Sequence, residues 1–273
     1  MRNDVAFGQY YPTKSFVHRM DPRMKILLLI AYIVLIFIVR SFYGFAVVGG
    51  LLCLMVLFSR VPILKVVRSI RAILFIIIIT VIINLFLHRE DDDTVIFSWW
   101  VLSITDSSWK FAAFMALRLV LLVLGSSVLT LTTTPVALTD GLESLMSPLK
   151  LIKFPVHELA LVMSIALRFI PTLMEETERI ISAQKARGAA FDTGGLFSRI
   201  KALIPVLIPL IISAFKRADE LGDAMEARCY AGSKTRTKYK KLKMGVNDVI
   251  GALFVAASLA GVIVLNVYTV ALI

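Results

Sequence analysis

The chain has 273 residues, 58% of them hydrophobic, with a mean hydropathy of +0.84 and a formal net charge of +11. Soluble domains are nearer about 45–50% apolar, so this composition excludes an ordinary water-soluble globule and calls for a bilayer. The positive charge suits anionic lipid headgroups or an acidic protein partner, and nucleic acid is the weakest class of partner, since the apolar runs hold the chain in a membrane.

The first 25 residues are polar, with Asp4, Lys14, His18, Asp21 and Arg23, and show no cleavable signal peptide. An apolar block follows over 26–58, broken only at Arg40-Ser41. A bilayer core of about 30 Å takes about 20 helical residues, so the block predicts two short spans joined by a tight turn at Arg40-Ser41. Blocks at 70–87, 111–134 and 249–273 predict three more, about five spans in all.

Charges between the blocks orient them. Lys14, Arg19, Arg23 and Lys25 precede the first span, and Arg60, Lys65, Arg68 and Arg71 separate the second from the third. Glu90, Asp91, Asp92, Asp93 and Asp106 lie in the next connection. Basic residues stay inside, which puts the N-terminus and residues 135–243 in the cytoplasm and the acidic loop outside. Within the spans, Arg118 either snorkels outward or touches a partner, and Asn84 and Asn266 suit hydrogen bonds across helices.

Residues 135–245 differ in kind. Pro135, Pro148, Pro155, Pro171, Pro205 and Pro209 punctuate amphipathic stripes and suggest helices with sharp starts. From Pro171, residues Ile170, Leu173, Met174, Thr177, Ile180, Ile181 and Gln184 share one helical face opposite Glu175, Glu176, Glu178, Arg179 and Lys185. After Pro209, Ile211, Ala214, Phe215, Ala218, Leu221, Gly222 and Met225 form a narrow stripe whose small residues admit a close helix. The two helices end alike, as Ala186-Arg187-Gly188 and Ala227-Arg228-Cys229. Two readings fit these endings. The arginines are cations at the negative ends of helix dipoles, or they are presented to acidic pockets for bidentate pairing with carboxylate.

Apolar side chains also crowd 142–163, among them Leu142, Leu145, Met146, Leu149, Leu159 and Met163, with Leu151, Ile152, Leu161 and Val162 beside them. They either pack the helical segment or line a groove for an exchangeable membrane partner, a use to which methionine is suited.

Chemical motifs are missing. Cys53 and Cys229 give neither a disulfide framework nor a zinc site, and His18, His88 and His157 are scattered. Gly232-Ser233-Lys234-Thr235 lacks the spacing of a phosphate-binding loop, and no nucleophile elbow occurs. Asp91, Asp92 and Asp93 read as a solvated acidic run. The chain is not expected to hydrolyse ATP or to bind a cofactor or metal.

Thr132-Thr133-Thr134-Pro135, Gly141-Leu142-Glu143, Ser147-Pro148-Leu149-Lys150, Arg168-Phe169-Ile170-Pro171, Glu175-Glu176 and Ala183-Gln184-Lys185-Ala186-Arg187-Gly188 resemble the transmembrane T component of energy-coupling factor (ECF) transporters, the EcfT/CbiQ family. Gly8-Gln9-Tyr10-Tyr11-Pro12 and Asp21-Pro22-Arg23-Met24-Lys25 are similar to the group shared among several vitamin-binding subunits. The resemblance implies an all-α polytopic membrane protein divided into a membrane domain over 1–134, a cytoplasmic coupling domain over 135–245 and a last span over 246–273. It implies as partners two ABC-type ATPase subunits, which bind the ATP, and a membrane-embedded substrate-binding S component for a vitamin or metal. It also implies a plasma membrane of a prokaryote.

By the same resemblance, Arg187 and Arg228, flanked by Ala186, Gly188, Ala227 and Cys229, enter grooves on the ATPase pair. Leu142, Leu145, Met146, Leu149, Leu159 and Met163 are the candidate S-component contacts. The family's usual ending is Ala-Arg-Gly, from which Cys229 departs. An ordinary ABC importer permease is the alternative; two Ala-Arg endings in one chain argue against its paired, pseudo-symmetric architecture.

Overall fold

The computed structural model describes residues 10–87, 95–99, 102–189, 191, 195–230, 232 and 244–270. Gly8, Gln9, His88, the acidic run at 90–93 and the lysines at 240, 241 and 243 lie outside them. The chain forms two compact units, Met1–Leu145 with Leu242–Ile273, and Met146–Lys241.

In the first unit, Asp21 caps α1 (Pro22–Ile38): its carboxylate accepts the Arg23 N–H at 3.0 Å, and Pro22 supplies a preset first-turn φ. Val39 leaves the helix in extended conformation, and Ser41 caps α2 (Phe42–Ser59) through the Gly44 N–H. The expected turn at Arg40-Ser41 is therefore present. The two helices do not lie side by side, however. Both α4 (Asp106–Thr132) and α8 (Val246–Val270) pack against each of them, so α1 and α2 stand diagonally across a four-helix arrangement.

Polar side chains hold that splayed turn. Arg118 on α4 donates from Nη2 to the Val39 carbonyl at 3.2 Å, with the Phe37 and Phe114 rings 5.5 and 5.0 Å from its guanidinium. Asn266 on α8 donates to the Ile38 carbonyl at 2.8 Å and accepts the Arg40 N–H at 3.3 Å. Arg118 is thus a cation at the carbonyl end of α1. Leu35, Ile36, Val39, Val48 and Val262 are fully buried in the core beside it.

The helix α3 (Ile63–Leu87) packs along α4. It bends by 58° between Arg71 and Ile73, where the basic first turns give way to the apolar run. The connection after it was expected to be loop. Instead β1 (Val95–Trp99) pairs antiparallel with β2 (Leu102–Thr105), Val95 opposite Thr105 and Trp99 opposite Leu102. Valine, isoleucine, threonine and aromatics favour such a ribbon, which leaves the fold class all-α. The last element before the second unit is α5 (Pro135–Leu145), which packs on α1. The compact units accordingly divide after α5, whereas the sequence places the boundary before it.

The second unit contains a 3-10 segment at Ser147–Ile152, α6 (Val156–Ala186) and α7 (Leu196–Glu226). Pro171 was expected to start one helix and Pro209 to precede another, yet Pro171 lies inside α6 and Pro205 and Pro209 inside α7. Each interior proline costs about 3 kcal/mol. All three are exposed, so the carbonyl each leaves unpaired is not trapped in a core, and the flanking residues carry the helix through.

Among the described residues α2, α4, α6 and α8 are long and apolar enough to cross a membrane, and α3 makes five if its bent halves count as one span. The 17-residue α1 falls just short. The apolar stretch of α6 lies before Glu175; beyond it the helix is amphipathic.

Candidate functional site

The two arginine endings adopt the same backbone turn. At the end of α6 the Gly188 N–H donates to the Lys185 carbonyl and the Ala189 N–H to Gln184, both at 3.0 Å, across Gly188 at φ +88°. At the end of α7 the Cys229 N–H donates to Glu226 at 2.8 Å and the Tyr230 N–H to Met225 at 3.1 Å, across Cys229 at φ +55°. Both are Schellman closures, which satisfy the last carbonyls by a left-handed residue. In each, the arginine immediately precedes the left-handed residue. Cys229 thus supplies the turn that glycine usually supplies, at a conformational cost glycine does not carry.

Ala186, Arg187, Gly188, Ala227, Arg228 and Cys229 are all exposed. Among the described residues, neither arginine side chain makes a hydrogen bond or ion pair. A guanidinium held at a hydrogen-bonded turn, flanked by small side chains and unpaired among the described residues, is available for a carboxylate on another surface.

Farther back, Glu176 on α6 pairs with Arg217 on α7 at 3.1 Å, both side chains about a quarter exposed. The Arg217 guanidinium also sits 5.7 Å from the Phe169 ring centre. The sequence pattern missed this pair. It put the close-packing stripe of α7 on Ile211, Ala214, Phe215, Ala218, Leu221, Gly222 and Met225, of which Leu221 and Met225 are half-buried and the other five stay exposed. Ahead of Leu221 the sheltered line runs through Leu210, Ser213 and Arg217 instead. The expected stripe on α6 is seen in part: Leu173, Thr177, Ile180, Ile181 and Gln184 are half-buried and Glu175, Glu178, Arg179 and Lys185 exposed, but Ile170 and Met174 are exposed and Glu176 is half-buried.

The apolar candidates fall in both units. Leu142 and Leu145 are on α5; Met146 and Leu149 lie at the 3-10 segment; Leu159 and Met163 are one turn apart on α6. Leu142, Leu149, Leu159 and Met163 are exposed, whereas Leu145 and Met146 are half-buried. More exposed still are Leu151 and Ile152 at 89% and 80%, and Phe197 on α7 at 85%. Phe197 opens an exposed apolar run, with Ile200, Ile204, Ile208 and Ile212, that sequence reasoning did not single out. No group of three or more His, Cys, Asp or Glu able to hold a metal ion occurs among the described residues.

A family model for CbiQ, described as cobalt transport protein, matches residues 13–239 and so takes in both endings. The chain belongs to the EcfT/CbiQ family. It is 49% identical over 250 residues to the energy-coupling factor transporter transmembrane protein EcfT of Ruminiclostridium cellulolyticum, covering 92% of each chain. It is 47% identical to the EcfT of Clostridium kluyveri, covering 93% of each. With the EcfT of Bacillus subtilis it shares 42% over 261 residues, 95% of this chain and 98% of that one. As an EcfT-family chain with several apolar helices of spanning length, it is a multi-pass membrane protein and a transmembrane component of a transporter.

Proposed function

We propose that the chain is the coupling subunit of an ATP-driven ECF-type importer in the plasma membrane of a prokaryote, with its N-terminus and residues 135–245 in the cytoplasm. Residues 1–134 and 246–273 provide the membrane part. Two ABC-type ATPases bind and hydrolyse the ATP, so the chain performs no catalytic step and needs no cofactor. A membrane-embedded S component captures the vitamin or metal. Closure of the ATPase pair moves the grooves that hold Arg187 and Arg228; α6 and α7 carry that movement to the S component, which meets Leu142, Leu145, Met146, Leu149, Leu159 and Met163. A contact shifts an equilibrium only if it differs between the two states, so the arginine contacts must tighten or loosen as ATP binds.

The observation that supports this reading is the repeated closing turn, which leaves one arginine exposed, and unpaired among the described residues, at the end of each long helix. Its test is co-purification with candidate ATPase subunits, comparing Arg187→Ala, Arg228→Ala and the double variant. Losing one member of a buried interfacial charge pair costs about 2–5 kcal/mol. The double variant should therefore lose the ATPase pair or ATP-dependent uptake. An unaltered double variant, or a wild type that recovers no ATPase, overturns the reading.

A further inference from the structure

The start of α1 uses three successive features of Asp21-Pro22-Arg23-Met24-Lys25 to grip three different parts of the first unit. Asp21 donates its N–H to Asp248 Oδ1 at 2.8 Å; Asp248 Oδ2 accepts the Gly245 N–H at 2.7 Å and so closes the first turn of α8. Pro22 lies under α5, where a Cβ at Gly141 would stand 3.1 Å from the proline Cβ and 3.2 Å from its carbonyl carbon. Lys25 Nζ donates to the Thr132 carbonyl at 2.9 Å and to Thr133 Oγ1 at 3.3 Å, at the corner between α4 and α5. Asp21, Lys25, Thr132, Thr133 and Asp248 are all buried.

The chain leaves the first unit directly after α5 and re-enters it just ahead of α8. Within the first unit, α5 and α8, the elements that flank the two connections, are thus both fastened to one turn of one helix. A rigid, water-excluded attachment of this kind transmits displacement, whereas a solvated linker would absorb it. We infer that the Asp21–Lys25 turn is the junction through which movement of the coupling unit enters the membrane helices, with Asp248 and Gly141 as positioning residues for transport. The inference rests on the coupling reading above.

The test uses the complete transporter reconstituted in vesicles, with both arginines intact, and reads substrate taken up per ATP hydrolysed. Asp248→Ala removes the acceptor for Asp21, Asp248→Asn keeps one, and the series Gly141→Ala and Gly141→Val forces α5 off Pro22 by increasing amounts. A purely structural role would lower the yield of complex and leave the ratio constant among surviving complexes. The junction reading expects the ratio to fall about fivefold or more in Asp248→Ala and Gly141→Val, with Asp248→Asn and Gly141→Ala in between and ATPase capture retained. An unchanged ratio in assembled Asp248→Ala and Gly141→Val complexes overturns the junction alone. Failure of the wild type to capture an ATPase overturns the coupling reading and the junction with it.

Discussion

Glu176 and Arg217 pair at 3.1 Å, and each stands eleven residues before the arginine that closes its own helix. At about 1.5 Å per residue, both arms beyond the pair are about 16 Å long. α6 and α7 are thus pinned at a point equally far from Arg187 and from Arg228. Among the described residues Arg217 Nη1 is buried without a hydrogen-bond partner, and the ion pair with Glu176 and the Phe169 ring are what hold this guanidinium.

Glu176→Gln should therefore weaken the α6–α7 packing by about 1–3 kcal/mol, the usual worth of a hydrogen bond to a charged group at a partly buried site. A double-mutant cycle on Glu176→Gln and Arg217→Met, read by thermal unfolding of the purified chain, should show the two losses to be strongly non-additive. Additive losses would mean that the pair carries no coupling energy.

The closing turn of α7 gives a second prediction. A left-handed residue other than glycine is strained by about 1–2 kcal/mol, and Cys229 holds φ +55° with no compensating hydrogen bond from its thiol among the described residues. Cys229→Gly should raise the melting temperature and leave ATPase capture intact, while Cys229→Val should lower it. Gly188→Val should be worse for α6, since φ +88° lies beyond the narrow left-handed well that side-chain-bearing residues can occupy, whereas Cys229 sits inside it. Indistinguishable melting temperatures across the three variants would refute the account of the turn.

Legibility in the sequence followed the strength of local signals. The turn at Arg40-Ser41 and both Ala-Arg endings are announced by short-range chemistry, namely a polar break in an apolar block and cations at helix ends, whereas the capped start of α1 at Asp21-Pro22 was not read. Interior Pro171, Pro205 and Pro209 misled because proline speaks only for its own φ and missing donor, while the surrounding turns decide whether the helix continues. The sheltered side of α7 was hidden for another reason. Arg217 reads as a surface residue until Glu176 and Phe169, some forty positions earlier, are placed beside it. Arg118 was equally opaque, because what it binds is the Val39 carbonyl at the end of another helix, whereas the bond of Asn266 across helices, to Ile38 and Arg40, was expected.

In the first unit, Tyr32 lies against α4 where Gly125 leaves room for it. A Cβ at Gly125 would overlap the Tyr32 ring, whose hydroxyl donates to the Leu121 carbonyl at 3.0 Å. Gly125→Ala should cost about 1–3 kcal/mol by overpacking. The penalty should shrink in a Tyr32→Leu background, where the ring is gone, and thermal unfolding of the four chains measures the difference. Equal penalties in the two backgrounds would show that the ring is not what Gly125 accommodates.

The segment before α1 supplies a pH-dependent prediction. His18 Nε2 lies 2.9 Å from the Tyr11 carbonyl, which can only accept, so that nitrogen carries the proton. In the neutral ring Nδ1, 2.7 Å from Ser15 Oγ, accepts the serine hydroxyl. Burial, with Lys25 nearby, lowers the His18 pKa below its usual 6.5, against the opposing pull of the Tyr11 carbonyl. Above about pH 6.5 the ring is neutral in both folded and unfolded chains and pH has no leverage through it. As pH falls below that value the unfolded chain takes up the proton first, so stability decreases until the folded ring also protonates. The melting temperature of the purified chain should accordingly drop between pH 7 and the lower folded pKa, and His18→Gln should flatten that part of the profile. Coincident profiles for wild type and His18→Gln would show that another group sets the acid sensitivity.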